Sequence, residues 1–152
     1  MVTDPEPTRP VLPDDTHLGR TALAVHDLEP TTDFYSTVVG LPVLERSQER
    51  AVLGVADRPL VVLEHTTDER AADAAGLYHT AVRVPSRGAL GDALARVREH
   101  WHLDGASDHR VSEALYLTDP AGNGVEIYRD FPRAEWPRTA DGTVAMATDP
   151  LD

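Results

Sequence analysis

The sequence predicts an α+β domain, two βαβββ modules forming a curled mixed sheet around one cavity. Three observations carry that expectation. The order strand, helix, strand, strand, strand can be traced twice along the chain. The second copy opens with residues that match the first. Neither copy alone has enough layers to bury both faces of its sheet, so the two must pack together.

Residues 1–16 hold four prolines and several acids without apolar periodicity, and they read as a flexible N-terminal arm. From Leu18 the pattern changes. Leu18, Arg20, Ala22 and Ala24 alternate with Gly19, Thr21, Leu23 and Val25, the period of a strand buried on at least one face. Asp27 then offers a cap for a helix that runs through Phe34, Tyr35 and Val38, and Gly40 stops it. Three apolar runs follow at 42–46, 51–55 and 60–65, completing module one over 17–65.

Residues 66–76 are polar and alanine-rich and serve as the linker. Module two, 77–130, repeats the order. A strand over 77–84 precedes a helix opened by Pro85 and Ser86, with Leu90, Ala93, Leu94 and Val97 on its apolar face. Three more strands follow at 104–109, 112–118 and 124–130, the last two joined by the turn sequence from Asp119 to Gly124. The tail, 131–152, reads as loop packed through Trp136. At residue level Leu18-Gly-Arg-Thr-Ala22 aligns with Leu77-Tyr-His-Thr-Ala81, and Val25 falls on Val84 at the same 59-residue offset. Arg20 and His79 are thereby equivalent positions facing one pocket from opposite sides.

Composition narrows the chemistry. Hydrophobic residues make up 41% of the 152, enough for a packed core. No cysteine is present, which excludes disulfides and thiolate metal sites. No apolar run approaches a membrane span and no signal pattern opens the chain, so a cytoplasmic protein without membrane partners is expected. The net charge of −12 repels phosphates and argues against nucleic acid. All fourteen basic residues are arginine, against 26 acids. A lysine-free acidic shell suits a salt-adapted, halophilic cell, where surface repulsion is screened; a GC-rich genome yields the same arginine bias. No phosphate loop, nucleophile elbow or cysteine nucleophile appears.

Asp27-Leu28, Phe34-Tyr35 and Val39-Gly40-Leu41 are similar to the first helix of glyoxalase and extradiol-dioxygenase modules, members of the vicinal-oxygen-chelate group. Asp119-Pro120 through Tyr128 resembles the closing strand of those modules. The stretches from Gly76 to His79, Val84 to Arg87, and Ser107 to Tyr116 resemble more specifically catechol 2,3-dioxygenases that carry two such domains in tandem. The resemblance covers about residues 17–152, and in those relatives the last segment, Met146–Asp152, leads into a second domain. It therefore implies the N-terminal half of a longer protein, a stand-alone homologue or a trimmed piece. It also implies a homodimer, since relatives commonly pair chains.

What the resemblance implies chemically is an Fe(II) or Mn(II) centre held by two histidines and one carboxylate, cleaving the ring of a catechol-type aromatic. His79 matches the second histidine and Glu126 the carboxylate. The first histidine falls on Arg20, whose guanidinium offers no lone pair to a metal. Val62 occupies the fourth corner that glyoxalases fill with a glutamate, and Glu64 and His65 are out of register with it. His17 is near Arg20, but its position places it on the opposite face of the strand.

Two readings compete for this pocket. In one, His79 and Glu126 hold the metal with help from His17, a partner chain or substrate oxygens. Tyr116 then matches a tyrosine that hydrogen-bonds the substrate oxygen, and His109 is the nearby acid or base. In the other, Arg20 pairs with Glu126 across the cavity, His79 hydrogen-bonds to them, and the domain binds a small anionic or phenolic ligand through Arg20 without metal. Bleomycin-resistance-type relatives bind in this metal-free way. A glyoxalase-type isomerase is a third, weaker reading. His100 and His102 flank Trp101 at a helix end and are assigned no chemistry.

Overall fold

The computed structural model describes residues 12–13, 15–68 and 76–152. Most of the expected N-terminal arm, and 69–75 of the expected linker, lie outside the described residues. Module one comprises β1 (Thr21–Val25), α1 (Leu28–Asp33) continued by a π-helical turn (Phe34–Val39), β2 (Val43–Arg46), β3 (Arg50–Val55) and β4 (Arg58–His65). Module two comprises β5 (His79–Arg83), α2 (Arg87–His100), β6 (Gly105–Asp108), β7 (Ser112–Thr118) and β8 (Gly124–Asp130). The element order is the one the sequence predicts, written twice.

With β9 (Asp149–Pro150) from the tail, the strands form two mixed sheets, β1-β4-β3-β2 and β5-β8-β7-β6-β9, and neither closes into a barrel. In each module the first strand pairs in parallel with the fourth, while the remaining pairs are antiparallel. The α+β class and the paired modules agree with expectation; the sheet is two ladders rather than one. The tail also differs, because Asp149–Pro150 forms β9 on the edge of β6 and Arg133–Glu135 a single 3-10 turn. Within the tail, Trp136 donates from Nε1 to the Phe131 carbonyl at 2.9 Å.

Period-2 alternation decides which strand faces are buried. Leu23 and Val25 of β1, Leu53 of β3, and Leu63 of β4 point inward from the first sheet. Leu115, Leu117, Val125 and Ile127 do so from the second. Both sets belong to one apolar cluster with Phe34, Tyr35, Val38, Leu90, Ala93 and Val97 of the helices. Helix α2 enters this cluster through Leu90, Ala93 and Val97, a 3.6-residue stripe. Its N-terminus is capped by Ser86, which accepts from the Ala89 N–H at 3.1 Å.

The modules are also joined by polar groups. The π-helical turn ends at Gly40, where φ is 88°, and the Gly40 and Leu41 N–H groups both donate to the Tyr35 carbonyl. That leaves the Val38 and Val39 carbonyls without helical partners. Arg96 of α2 meets both, its Nε 3.3 Å from Val38 O and its Nη2 3.1 Å from Val39 O. The positive φ favours glycine at position 40, and a Cβ there would lie 2.9 Å from that guanidinium and press it away from the carbonyls. Nearby, the buried Tyr35 hydroxyl donates to Asp119 Oδ2 of module two at 3.1 Å. Asp119 also accepts from the Ala121 and Asn123 N–H groups, fixing the β7–β8 turn.

Arg96→Met keeps the apolar stem but leaves both carbonyls unmet, and we expect a loss of about 1–3 kcal/mol in urea denaturation. Tyr35 carries a raised pKa because burial, the Asp119 charge and the hydrogen bond to Asp119 all favour its neutral form. Its contribution to stability is complete below the ordinary tyrosine value near 10. Above that pH the unfolded chain gives up a proton that the folded chain retains, so stability falls as pH rises. Denaturation from about pH 8 to about pH 11 should show this decline. Tyr35→Phe should flatten most of it, and an unchanged slope would reject the assignment.

Candidate functional site

The second sheet gathers the chemistry-bearing residues on its face away from the core. β5 and β8 run parallel with His79 opposite Gly124 and Ala81 opposite Glu126, so His79, Ala81 and Glu126 share a face. Tyr116 of β7 stands directly opposite Glu126 and joins them. His79 Nε2 is 2.9 Å from Glu126 Oε2, with the carboxylate the more buried of the two. Gly124 makes room for this pair: a Cβ there would lie 2.6 Å from the Tyr78 carbonyl and 3.0 Å from His79 Cβ. Tyr78, itself exposed, packs edge-on against the His79 ring at 5.1 Å.

A second polar pair continues across the face. His109 Nε2 lies 2.7 Å from the Tyr116 hydroxyl, and His109 Nδ1 lies 2.8 Å from the Ala147 carbonyl. A carbonyl only accepts, so Nδ1 carries the hydrogen and Nε2 of the neutral ring accepts from Tyr116 O–H. The Ala147 N–H donates back to the His109 carbonyl at 3.2 Å, so the tail grips this histidine at two points. The Tyr116 oxygen keeps a lone pair for an incoming O–H. Its pKa is raised by partial burial, then by the charge of Glu126 and by Tyr78. Tyr116 therefore works as a neutral hydroxyl.

Arg20 is placed differently from the expectation. The β1 ladder begins at Thr21, opposite Val61, so Arg20 precedes the strand and no register holds it over the second sheet. It is exposed, and with His17, Arg58 and Pro59 it lines a shallow hollow. The expected Arg20–Glu126 ion pair is absent among the described residues; His79 takes that carboxylate instead. His17 hydrogen-bonds the Asp15 carbonyl at 3.0 Å and shares the Arg20 hollow. Val62 pairs with Ala22 and is buried, which leaves the fourth corner without a ligand.

The donor set can be tested against a metal. One imidazole nitrogen and one carboxylate are of the right type for Fe(II) or Mn(II). Yet among the described residues no three His, Cys, Asp or Glu side chains gather at a point that would hold an ion. Two donors do not make the three-point face that the resemblance implies. The structure brings together His79, Glu126, Tyr116 and His109, the residues singled out in the sequence, and adds Gly124, whose place beside His79 follows only from the parallel register. The Ala147 carbonyl is a further addition, because a backbone acceptor leaves no trace in residue type.

The chain is 44% identical over 146 residues to the Catechol-2,3-dioxygenase of Bacillus subtilis (strain 168), covering 91% of this chain and 50% of that protein. It thus spans about half the length of that relative. It is 31% identical over 113 residues to the Trivalent organoarsenical cleaving enzyme of Thermomonospora curvata, covering 70% of this chain and 73% of the other. Among solved structures, a glyoxalase/dioxygenase from Nostoc punctiforme matches with a TM-score of 0.66 at 20% identity, over 82% of this chain and 99% of that one. The Lactoylglutathione lyase from Agrobacterium tumefaciens matches with a TM-score of 0.60 at 21% identity, over 77% and 96%, and both likenesses concern the fold alone. The sequence profile of the Glyoxalase/Bleomycin resistance protein/Dioxygenase superfamily matches residues 17–127, and the chain belongs to that superfamily.

Proposed function

We propose that this chain is an extradiol-dioxygenase-like protein with a degenerate metal face, which holds a catechol-type aromatic across the second sheet. The observation that carries the reading is the row His79–Glu126 and Tyr116–His109, two hydrogen-bonded pairs side by side on one sheet face. A catechol presents two adjacent hydroxyls and an apolar ring. One hydroxyl donates to the Tyr116 oxygen, while Tyr116 donates to His109 Nε2, so a proton leaving the ligand has a path to the imidazole. The second hydroxyl meets the Glu126 carboxylate, which His79 holds in place. When a metal is bound, it supplies the activation of dioxygen and catecholate; a full donor set would require a contribution from outside His79 and Glu126.

A second reading has its own observation. Arg20 and Arg58 stand in one hollow lined with no carboxylate, a setting for a small anion without metal. Comparison of variants separates the two. With 4-nitrocatechol as an absorbance probe, Tyr116→Phe should weaken binding about tenfold, the value of one hydrogen bond near 1.4 kcal/mol. Arg20→Ala should leave it unchanged. The reverse pattern would move the ligand to the Arg20 hollow.

Metal content tests the degenerate centre. After anaerobic reconstitution with Fe(II) or Mn(II), elemental analysis should find well below one metal per chain, with no catechol-dependent oxygen uptake. One tightly held metal per chain, lost in both His79→Ala and Glu126→Ala, would overturn the degenerate centre and establish a working dioxygenase.

A further inference from the structure

The turn between β6 and β7 sends two neighbouring side chains to different tasks. His109 donates its N–H to the Ser112 carbonyl at 2.8 Å and directs its ring to Tyr116. Arg110 has a φ of 64°, a left-handed conformation uncommon outside glycine. Asp108 Oδ1 fixes that bend by accepting from the Arg110 N–H at 2.7 Å. The Arg110 guanidinium then reaches the tail, with Nε 3.0 Å from Asp149 Oδ2. In the β6–β9 ladder Asp108 stands directly opposite Asp149, a like-charge juxtaposition that disfavours the pairing by itself. The Arg110 guanidinium offsets it.

Two residues before Asp149, the Ala147 carbonyl meets His109 Nδ1 at 2.8 Å. This contact sets a binary property. A neutral imidazole has one hydrogen for two nitrogens, and the hydrogen goes to the nitrogen that faces an acceptor. With Ala147 O on Nδ1, Nε2 keeps its lone pair and the Tyr116 hydroxyl donates to it at 2.7 Å, which leaves Tyr116 a lone pair to offer a ligand. With the carbonyl displaced, Nε2 can carry the hydrogen and donate to the Tyr116 oxygen. The Tyr116 O–H is then free to turn toward the ligand instead. The same two side chains in the same places would select the opposite class of ligand oxygen.

We propose that the tail is the specificity element of the site. The Arg110–Asp149 pair, acting as positioning residues, holds the Ala147 carbonyl on His109, and Tyr116 thereby selects ligand oxygens that bring a hydrogen over those that only accept one. An aromatic vicinal diol meets this requirement; its methyl ether and the corresponding quinone do not. The ligand half of the inference rests on the catechol reading, and the tautomer half does not. Both partners of the ion pair are about half exposed, so the pair adds little to stability and its effect is placement. Leu151, further along, packs against the core cluster and keeps the tail on the domain when the pair is broken.

Imidazole nitrogen NMR of the intact chain at about pH 8, where imidazoles are mostly neutral, reads the tautomer without any ligand. The His109 signals, assigned by their loss in His109→Gln, should be those of an Nδ1–H ring. Arg110→Asp leaves Asp149 facing two carboxylates and should move a substantial share of the ring to Nε2–H. Adding Asp149→Arg, which restores the pair with its charges exchanged, should return it to Nδ1–H. Phenol and pyridine N-oxide, isosteric rings of which only phenol brings a hydrogen, then test selectivity by shift titration. The preference for phenol should fall about fivefold in Arg110→Asp, below the tenfold of one whole hydrogen bond because both tautomers stay populated, and recover in the exchanged pair. An Nδ1–H ring unchanged in Arg110→Asp, or a shift that the exchanged pair fails to reverse, would overturn the positioning role. A tautomer shift with no change in preference would overturn the selectivity. A phenol preference kept in Tyr116→Phe would sink the catechol reading and the selectivity with it, a result that the ligand-free tautomer measurement distinguishes from failure of the pair.

Discussion

Two incomplete modules can fold only if each supplies the missing layer of the other, and Arg96 stands where that condition is strictest. A βαβββ unit has one sheet and one helix, so its apolar surface exceeds what it can cover. Packing the first helix against α2 solves the apolar part of the problem, because Phe34, Tyr35 and Val38 share a cluster with Leu90, Ala93 and Val97. It creates a polar problem at the same point, since a helix end brought into the interface carries carbonyls with no helical partner. The π-helical turn makes this acute, and the Arg96 guanidinium answers it from the other module. Tyr35 with Asp119 answers the corresponding problem for a buried hydroxyl. The interface is therefore specified by direction as well as by burial, because apolar packing alone would tolerate sliding and these hydrogen bonds do not.

How legible this was in the sequence depended on the kind of constraint. Strands with strong alternation or clear turn punctuation were readable to the residue: β7 and β8 begin and end where expected, bracketed by Asp119 and Gly124. The repeat was readable because its two copies occupy equivalent structural positions and so retain similar residues. The π-helical turn was not, since its apolar spacing is also that of an ordinary helix. Nor was β9, two residues long and containing a proline, whose strand character comes from its place beside β6.

Arg20 shows the limit most clearly. Alignment with His79 was sound as a statement of equivalence, yet equivalence in sequence did not carry equivalence in geometry. In module two the parallel ladder starts at His79 itself, and the neighbouring Gly124 lets the imidazole reach Glu126. In module one the ladder starts one residue after Arg20. A side chain just outside a ladder is not held to either face, and a long charged one turns to water. Residue type had already excluded Arg20 as a ligand; only the register explains why it does not replace the ligand with an ion pair.

The asymmetry between modules bears on what the second face can do. A metal centre of three donors drawn from two modules fails when one donor is lost, because the remaining pair leaves most of the coordination sphere to water. A hydrogen-bond relay contained within one sheet has no such dependence. His79, Glu126 and Tyr116 lie on neighbouring strands whose register the ladder fixes, and His109 is steadied by the tail rather than by module one. Loss of the module-one ligand would therefore dismantle a metal site while leaving the His79–Glu126 and Tyr116–His109 pairs intact. An arginine tolerated at position 20 is what that separation predicts, since nothing on the second sheet needs a donor from there.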